Sequence, residues 1–143
     1  MAGSSPAMTG KMGVYQLKLR VYYEDTDAAG IVYHARYLGY AERARTEALR
    51  EAGVPHDELV TRFGLIFVVR RVEMDYLRPV RLDAEVIVET GPWALGAATV
   101  DVRQRFAVAG EEMGRLRIGL ACVRVTDGRP ARIPQRWRAA LGG

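Results

Sequence analysis

The sequence predicts an α+β fold in which five antiparallel strands pack with one long helix. Two patterns carry this prediction: apolar and polar residues alternate in five segments, and an apolar stripe of helical period occurs once, after the first of them. The last four strand segments follow one another with short turns between them, which is typical of an antiparallel sheet. A chain of 143 residues has the usual size of a single domain.

The first strand and the helix are the clearest elements. Apolar and polar residues alternate over 14–23, which predicts a half-buried strand. Residues 37–52 are predicted to be helical, because small or apolar residues recur every three or four positions. This alanine-rich stripe allows the helix to approach its packing partner closely, and Gly53 and Pro55 favour an end directly after it. The stripe consists of Tyr37, Ala41, Ala44, Ala48 and Ala52.

The sheet is completed by four further strands, which are predicted at 65–76, 83–90, 98–109 and 115–126. Each of them also carries a polar face, and one helix is too small to bury a five-stranded sheet. We therefore expect an oligomer, either a homodimer or a homotetramer.

The expected domain covers residues 14–135, between a disordered leader or tag remnant at 1–13 and a C-terminal tail at 136–143. The leader lacks the apolar segment of a secretory signal, and no apolar run approaches the ~20 residues that a membrane span needs. Cys122 is the only cysteine, which excludes an internal disulfide. These observations lead us to expect a cytoplasmic protein.

The positive charge of the chain is concentrated near its C-terminus. The net charge is +4, and residues 113–143 contain seven arginines and one acidic residue. Such a surface is either simply solvated or attracts a polyanion, such as a nucleic acid or a phosphorylated cofactor. We expect no nucleic acid as a partner, because no wider patch of interleaved aromatic residues surrounds Trp137.

The composition excludes several catalytic classes. The only serines, Ser4 and Ser5, lie in the leader, so a Ser-His-Asp hydrolase has no nucleophile within the domain. His34 and His56 are the only histidines, and with a single cysteine they are too few for a typical zinc site. We therefore expect no metal site. Any chemistry falls to carboxylates, tyrosines, backbone groups and at most two imidazoles.

A short acidic loop at 24–36 precedes the helix and contains Asp27. The start of a helix presents unpaired N–H groups and a partial positive charge, which can hold a carbonyl oxygen. A neighbouring aspartate can then attack the carbonyl carbon or deprotonate a water molecule. Thioesters suit this site, because a thiol leaves without a strong general acid. The alternative is that Asp27 only forms an Asx turn or caps the helix.

The same region carries a long motif, D-x-D-x-x-G-x-V-Y-H-x-x-Y-L, formed by Asp25, Asp27, Gly30, Val32, Tyr33, His34, Tyr37 and Leu38. With this motif, segment 22–53 resembles the acyl-CoA thioesterases of the hot-dog fold. It looks most like their Tol–Pal-associated, 4-hydroxybenzoyl-CoA thioesterase-like branch. Segments 67–90 and 128–134 are similar to the same branch, so the resemblance covers about residues 14–135.

This resemblance implies a hot-dog fold, a five-stranded antiparallel sheet wrapped around one long helix, with protomers joined into a continuous sheet. The implied substrate is an acyl-CoA or acyl-carrier-protein thioester at the protomer interface. No cofactor is expected, since CoA is part of the substrate. Asp27 matches the catalytic carboxylate, as nucleophile or general base, and the backbone N–H of His34 polarises the thioester carbonyl. The His34 side chain orients Asp27, positions water, contacts the acyl group or has no role of its own.

The other candidate residues for binding substrate and CoA are Gly30, Tyr33, Tyr37, Arg70 and Arg71. The two arginines carry guanidinium groups, which bind phosphate well, whereas Tyr37 lines either the acyl pocket or the core. Four further residues are expected to be solvated surface or inert core, namely Glu24, Asp25, His56 and Cys122.

Other functions are open at this point. The chain can be a non-catalytic module that binds acyl-CoA or acyl-carrier protein, although such a module has no need of Asp27. It can be a hot-dog dehydratase, although its local sequence does not resemble that branch. A second branch of hot-dog thioesterases uses a helix glutamate, for which Glu42 and Glu47 are candidates off the alanine stripe. The resemblance also implies a peripheral association with the inner membrane or with envelope machinery.

Overall fold

The computed structural model describes residues 13–142, so the expected leader lies outside the described part except for Gly13. Within this range no helix is both long and apolar enough to cross a membrane. The elements follow one another as β1 (Tyr15–Arg20), a 3-10 turn (Tyr23–Asp25), α1 (Arg36–Glu51), α2 (His56–Phe63), β2 (Leu65–Tyr76), β3 (Glu85–Leu95), β4 (Thr99–Val108), β5 (Glu111–Arg124) and α3 (Gln135–Leu141).

The five strands form one antiparallel sheet in the order β1-β3-β4-β5-β2. Helix α1 packs against β1 and β3 of this sheet, so the predicted α+β architecture is confirmed. The alanine stripe makes this contact, because Ala41, Ala44 and Ala48 are completely buried. Small side chains at these positions bring the helix backbone close to the sheet.

A buried polar network crosses this apolar contact. Arg45 of α1 is 7% exposed and donates a hydrogen bond to Oε1 of Gln104 on β4 at 3.0 Å. The Gln104 amide in turn donates to the carbonyl oxygen of Ala41 at 2.9 Å and to the hydroxyl oxygen of Thr90 at 2.8 Å. The network therefore ties α1 to two strands of the sheet at one position along the helix.

The C-terminal residues differ from the expected tail. Residues 135–141 form α3, in which Trp137 and Leu141 are 0% and 1% exposed. The Trp137 ring packs edge-on against Phe63 of α2, with ring centroids 5.4 Å apart. The folded domain therefore continues beyond its expected boundary, because two apolar side chains of this segment complete the core.

Strand β2 forms one edge of the sheet. Its register against β5 shifts between Val69 and Arg71, which marks a β-bulge. An edge strand presents unpaired backbone groups, and apolar side chains on such an edge mark a surface for protein contact. The exposed apolar side chains of this edge strand are Ile66, Val68, Val69, Val72 and Tyr76.

Candidate active site

Asp27 lies in a tight loop, residues 26–32, whose first and last residues form a β-bridge. The Asp27 N–H donates to the carbonyl oxygen of Ile31 at 2.9 Å, and the Gly30 N–H donates to the carbonyl oxygen of Asp27 at 3.0 Å. Gly30 has a φ of +77°, in the left-handed region that glycine adopts at the least cost. The loop therefore has a defined path that places Asp27 just before α1.

The Asp27 carboxylate is oriented by the backbone of its own loop. Its Oδ1 accepts hydrogen bonds from the N–H of Ala29 at 2.8 Å and from the N–H of Ile31 at 3.4 Å. This is the Asx turn that the sequence analysis gives as the alternative for Asp27. No donor within residues 13–142 bonds Oδ2, and the residue is exposed. The turn thus holds the carboxylate through one oxygen and leaves the other available for chemistry.

A cavity of about 370 Å³ lies in front of this loop. It brings together residues that are far apart in the sequence, because the end of β2 and the segment after it lie beside the Asp27 loop. Of the candidates from the sequence, Asp27, His34 and Tyr37 line this cavity, whereas Gly30 and Tyr33 do not. Its other walls include Ile31, Tyr76 and Pro79.

The turn that precedes α1 leaves backbone donors free. The N–H of Tyr33 donates to the carbonyl oxygen of Asp25 at 2.9 Å, and the N–H of Arg36 donates to the carbonyl oxygen of Tyr33 at 2.8 Å. Among residues 13–142, no acceptor pairs with the N–H of His34 or Ala35. These two groups lie at the positive end of the α1 dipole, next to a cavity-lining residue, so they can bind a carbonyl oxygen.

The side chain of His34 packs among tyrosines. Its ring centroid lies 4.4 Å from that of Tyr33 and 6.4 Å from that of Tyr76. Tyr37 is buried, and its ring packs edge-on against that of Tyr76 with centroids 5.4 Å apart. In the described part of the chain, no hydrogen bond joins the His34 imidazole to Asp27. The rings of His34, Tyr37 and Tyr76 therefore form a wall of the cavity.

Arg70 and Arg71 lie apart from Asp27 within one chain. They line a second cavity, of about 410 Å³, together with Asp101 and Arg117. Arg71 is already engaged by an ion pair with Glu73. A single protomer therefore does not bring these arginines and the Asp27 carboxylate into one pocket.

Asp25 is the first site residue whose role the sequence did not reveal. We expected it to be solvated, but it is 7% exposed. Its Oδ2 accepts from the N–H of Tyr22 at 2.8 Å, and its Oδ1 lies 3.3 Å from Nε of Arg36. Burial and the neighbouring Asp25 carboxylate raise the pKa of Tyr40. Asp25 thus ties the segment before the Asp27 loop to the first turn of α1, because a buried carboxylate needs such partners.

Tyr76 is the second such residue. Its hydroxyl donates to the carbonyl oxygen of His34 at 3.0 Å, and its ring lines the cavity. Along β2 the residue has the same parity as apolar residues such as Val72, which conceals its contact with the loop. A strand end beside a helix start is visible only once the fold is known.

The remaining candidates lie away from the cavity. Glu42 is exposed on α1, and Glu47 lies 3.7 Å from Arg50. His56 is half-buried rather than on the surface, and burial together with the nearby Arg45 lowers its pKa. Cys122 is buried, as expected, and burial raises the pKa of its thiol. Residues 13–142 contain no cluster of His, Cys, Asp and Glu side chains that could hold a metal ion.

Replacing Gly30 by alanine is expected to lower the free energy of unfolding by about 1–2 kcal/mol, because a side chain disfavours its left-handed backbone. No atom lies within 4 Å of an added Cβ, so a clash does not contribute. Urea unfolding measures the change. Gly39→Ala on α1 is the matched control and is expected to raise stability by about 0.5–1 kcal/mol. Equal effects of the two substitutions would contradict this account.

Comparison with known proteins shows which family the chain resembles. Residues 21–141 match a family model described as a thioesterase-like superfamily. The chain is 38% identical to acyl-CoA thioesterase YbgC of Haemophilus influenzae, over 89% of this chain and 93% of that protein. It is 33% identical to acyl-CoA thioester hydrolase YbgC of Escherichia coli, over 85% and 91%. The crystal structure of a probable thioesterase from Bartonella henselae superposes with a TM-score of 0.79 at 32% identity, covering 85% of this chain and 100% of that chain.

Proposed function

This chain belongs to the thioesterase-like superfamily and is a thioester hydrolase, and we propose that it cleaves acyl-CoA thioesters with Asp27 as its catalytic carboxylate. Its fold is the hot-dog fold of that superfamily. One observation carries the proposal for the site: Asp27 and His34 line the same cavity, and the backbone N–H of His34 has no acceptor among residues 13–142.

The chemistry follows from these two groups. The N–H groups of His34 and Ala35 hold the thioester carbonyl oxygen and stabilise the negative charge that develops on it. Asp27 either attacks the carbonyl carbon, which forms a mixed anhydride that water then hydrolyses, or removes a proton from an attacking water molecule. In both routes the C–S bond breaks and CoA leaves as a thiolate, with a thiol pKa of about 8.5. The free acid is the second product.

The expected homo-oligomer has a suitable surface in the edge strand β2. Its exposed valine and isoleucine side chains and its unpaired backbone groups fit a second β2 strand, so two sheets would join into one. This pairing places the interface beside the cavity, because Tyr76 at the end of β2 belongs to both. We propose that CoA lies along this interface and that Arg70 and Arg71 bind its phosphates.

The alternative substrates, the location and the membrane contact of the enzyme are proposed from its resemblance to the family. Acyl-carrier-protein thioesters are the alternative substrates, since they present the same acyl thioester. A cytoplasmic location and a peripheral contact with the inner membrane or envelope machinery stay predictions.

The decisive experiment is a thioesterase assay on short-chain, long-chain and aromatic acyl-CoAs, read by the thiol that is released. We expect turnover of at least one class, and the preferred class identifies the acyl group. Tight binding of these ligands without any turnover would instead indicate a non-catalytic acyl-CoA binding module. The same assay with acyl-carrier-protein thioesters decides between the two carriers.

The edge strand gives a prediction about assembly. Val69→Asp is expected to turn the oligomer into monomers, because two carboxylates would meet at an apolar interface. Val69 is 53% exposed in one chain, so the substitution costs the monomer little. The mass in solution, from size-exclusion chromatography with light scattering, measures the effect. Leu38→Asp is the matched control at 41% exposure on α1, and a wild-type monomer would rule out this interface.

A further inference from the structure

We propose that Tyr76 is a positioning residue that strengthens the backbone donor of Ala35 toward the thioester carbonyl. This inference rests on the proposed function and adds a part to the same site. Tyr76 acts through the peptide group between His34 and Ala35, because its hydroxyl donates a hydrogen bond to the carbonyl oxygen of His34 at 3.0 Å.

The physical basis is the polarisation of a single amide group. The carbonyl oxygen of His34 and the N–H of Ala35 belong to the same peptide bond. A hydrogen bond to the oxygen draws electron density from the nitrogen, so the N–H becomes a better donor. The peptide between Tyr33 and His34 is polarised in the same way, because its carbonyl oxygen accepts a hydrogen bond from the N–H of Arg36 at 2.8 Å. The N–H groups of His34 and Ala35 therefore both belong to peptides whose carbonyl groups already accept a hydrogen bond.

The fold holds Tyr76 in this position from two sides. Its ring packs edge-on against the buried Tyr37, with centroids 5.4 Å apart. On β5 its register partner is Gly114, where an added Cβ would lie 2.8 Å from Cε of Met74 and 3.1 Å from the carbonyl oxygen of Asp75. The glycine therefore lets the end of β2 lie close to β5, which fixes the direction of the tyrosine side chain.

The contribution of the Tyr76 hydroxyl can be tested separately from that of its ring. Phenylalanine keeps the ring of Tyr76 and therefore its edge-on contact with Tyr37. In the described part of the chain, the His34 carbonyl is the hydrogen-bond partner of the Tyr76 hydroxyl. Tyr76→Phe thus removes one interaction and leaves the cavity wall in place.

The kinetic test compares Tyr76→Phe with the wild type. We expect kcat to fall about three- to ten-fold, which corresponds to one hydrogen bond, and KM to change less than about two-fold. Tyr23→Phe is the matched control, since Tyr23 is 83% exposed and lies outside the cavity. If the Tyr76 hydroxyl had only a structural role, Tyr76→Phe would raise KM or lower the melting temperature and would leave kcat unchanged.

A spectroscopic test reads the carbonyl directly. Octanoyl-CoA and benzoyl-CoA, each with an isotope-labelled carbonyl carbon, are bound to Asp27→Asn and to Asp27→Asn/Tyr76→Phe, in which turnover is blocked. We expect the infrared C=O stretch of the bound thioester to lie at a higher frequency in the double variant, because the carbonyl is less polarised. Equal frequencies together with an unchanged kcat for Tyr76→Phe would overturn the inference alone, since the wild type would still be an active thioesterase. A wild type inactive on every thioester would overturn the proposed function itself.

Discussion

Asp27→Asn is expected to lower kcat by about 10²- to 10⁴-fold, which is the usual contribution of a positioned acid–base group. An amide is neither a nucleophile nor a base, but it keeps the size and the hydrogen-bonding oxygen of the carboxylate. The Asx turn through Oδ1 therefore survives, with its bonds to Ala29 and Ile31. The assay on released thiol measures the loss.

The comparison for this prediction is Asp57→Asn, an exposed carboxylate in the first turn of α2 that does not line the cavity. We expect wild-type kcat for this variant. Chromatography and thermal melting show that both variants keep their fold and oligomer size. Wild-type kcat for Asp27→Asn would remove Asp27 as the catalytic group and direct attention to Glu42 and Glu47.

Trp137→Ala is expected to lower the free energy of unfolding by about 3–5 kcal/mol, the usual cost of truncating a buried aromatic side chain. Trp137 is completely buried and packs against Phe63, so its removal leaves a cavity between α3 and α2. Such a loss is a large share of the 5–15 kcal/mol that stabilise a typical domain. Urea unfolding followed by circular dichroism measures it.

The control for the C-terminal helix is Gln135→Ala, at the exposed first residue of α3. We expect it to change stability by less than about 0.5 kcal/mol, as surface substitutions usually do. Equal stability of Trp137→Ala and Gln135→Ala would mean that the C-terminal segment is a tail, as the sequence analysis expected, and not part of the core.

The elements that repeat a pattern could be predicted from the sequence. The alanine stripe predicted a helix at 37–52, and α1 runs from Arg36 to Glu51. The short helices α2 and α3 were not predicted, because a helical period can be recognised in a sequence only over several turns. Helix α2 buries a single residue, Leu59, and α3 spans only seven residues, of which two are buried, Trp137 and Leu141.

The site could be predicted where its residues are close in sequence. One continuous motif contains Asp27, His34 and Tyr37, and all three line the same cavity. Tyr76 could not be predicted, because its contact with the loop depends on where β2 ends. The pairing of Asp25 with Arg36 could not be predicted either, since a carboxylate is usually solvated unless the fold supplies partners.

The buried hydrogen bond between Arg45 and Gln104 limits which single substitutions these two positions tolerate. Losing Gln104 alone would leave a buried guanidinium without its acceptor, which is more costly than never having the pair. Losing Arg45 alone would leave an amide oxygen unpaired in the core. Replacing either residue alone therefore leaves a buried polar group unpaired, whereas replacing both together by apolar residues avoids that cost.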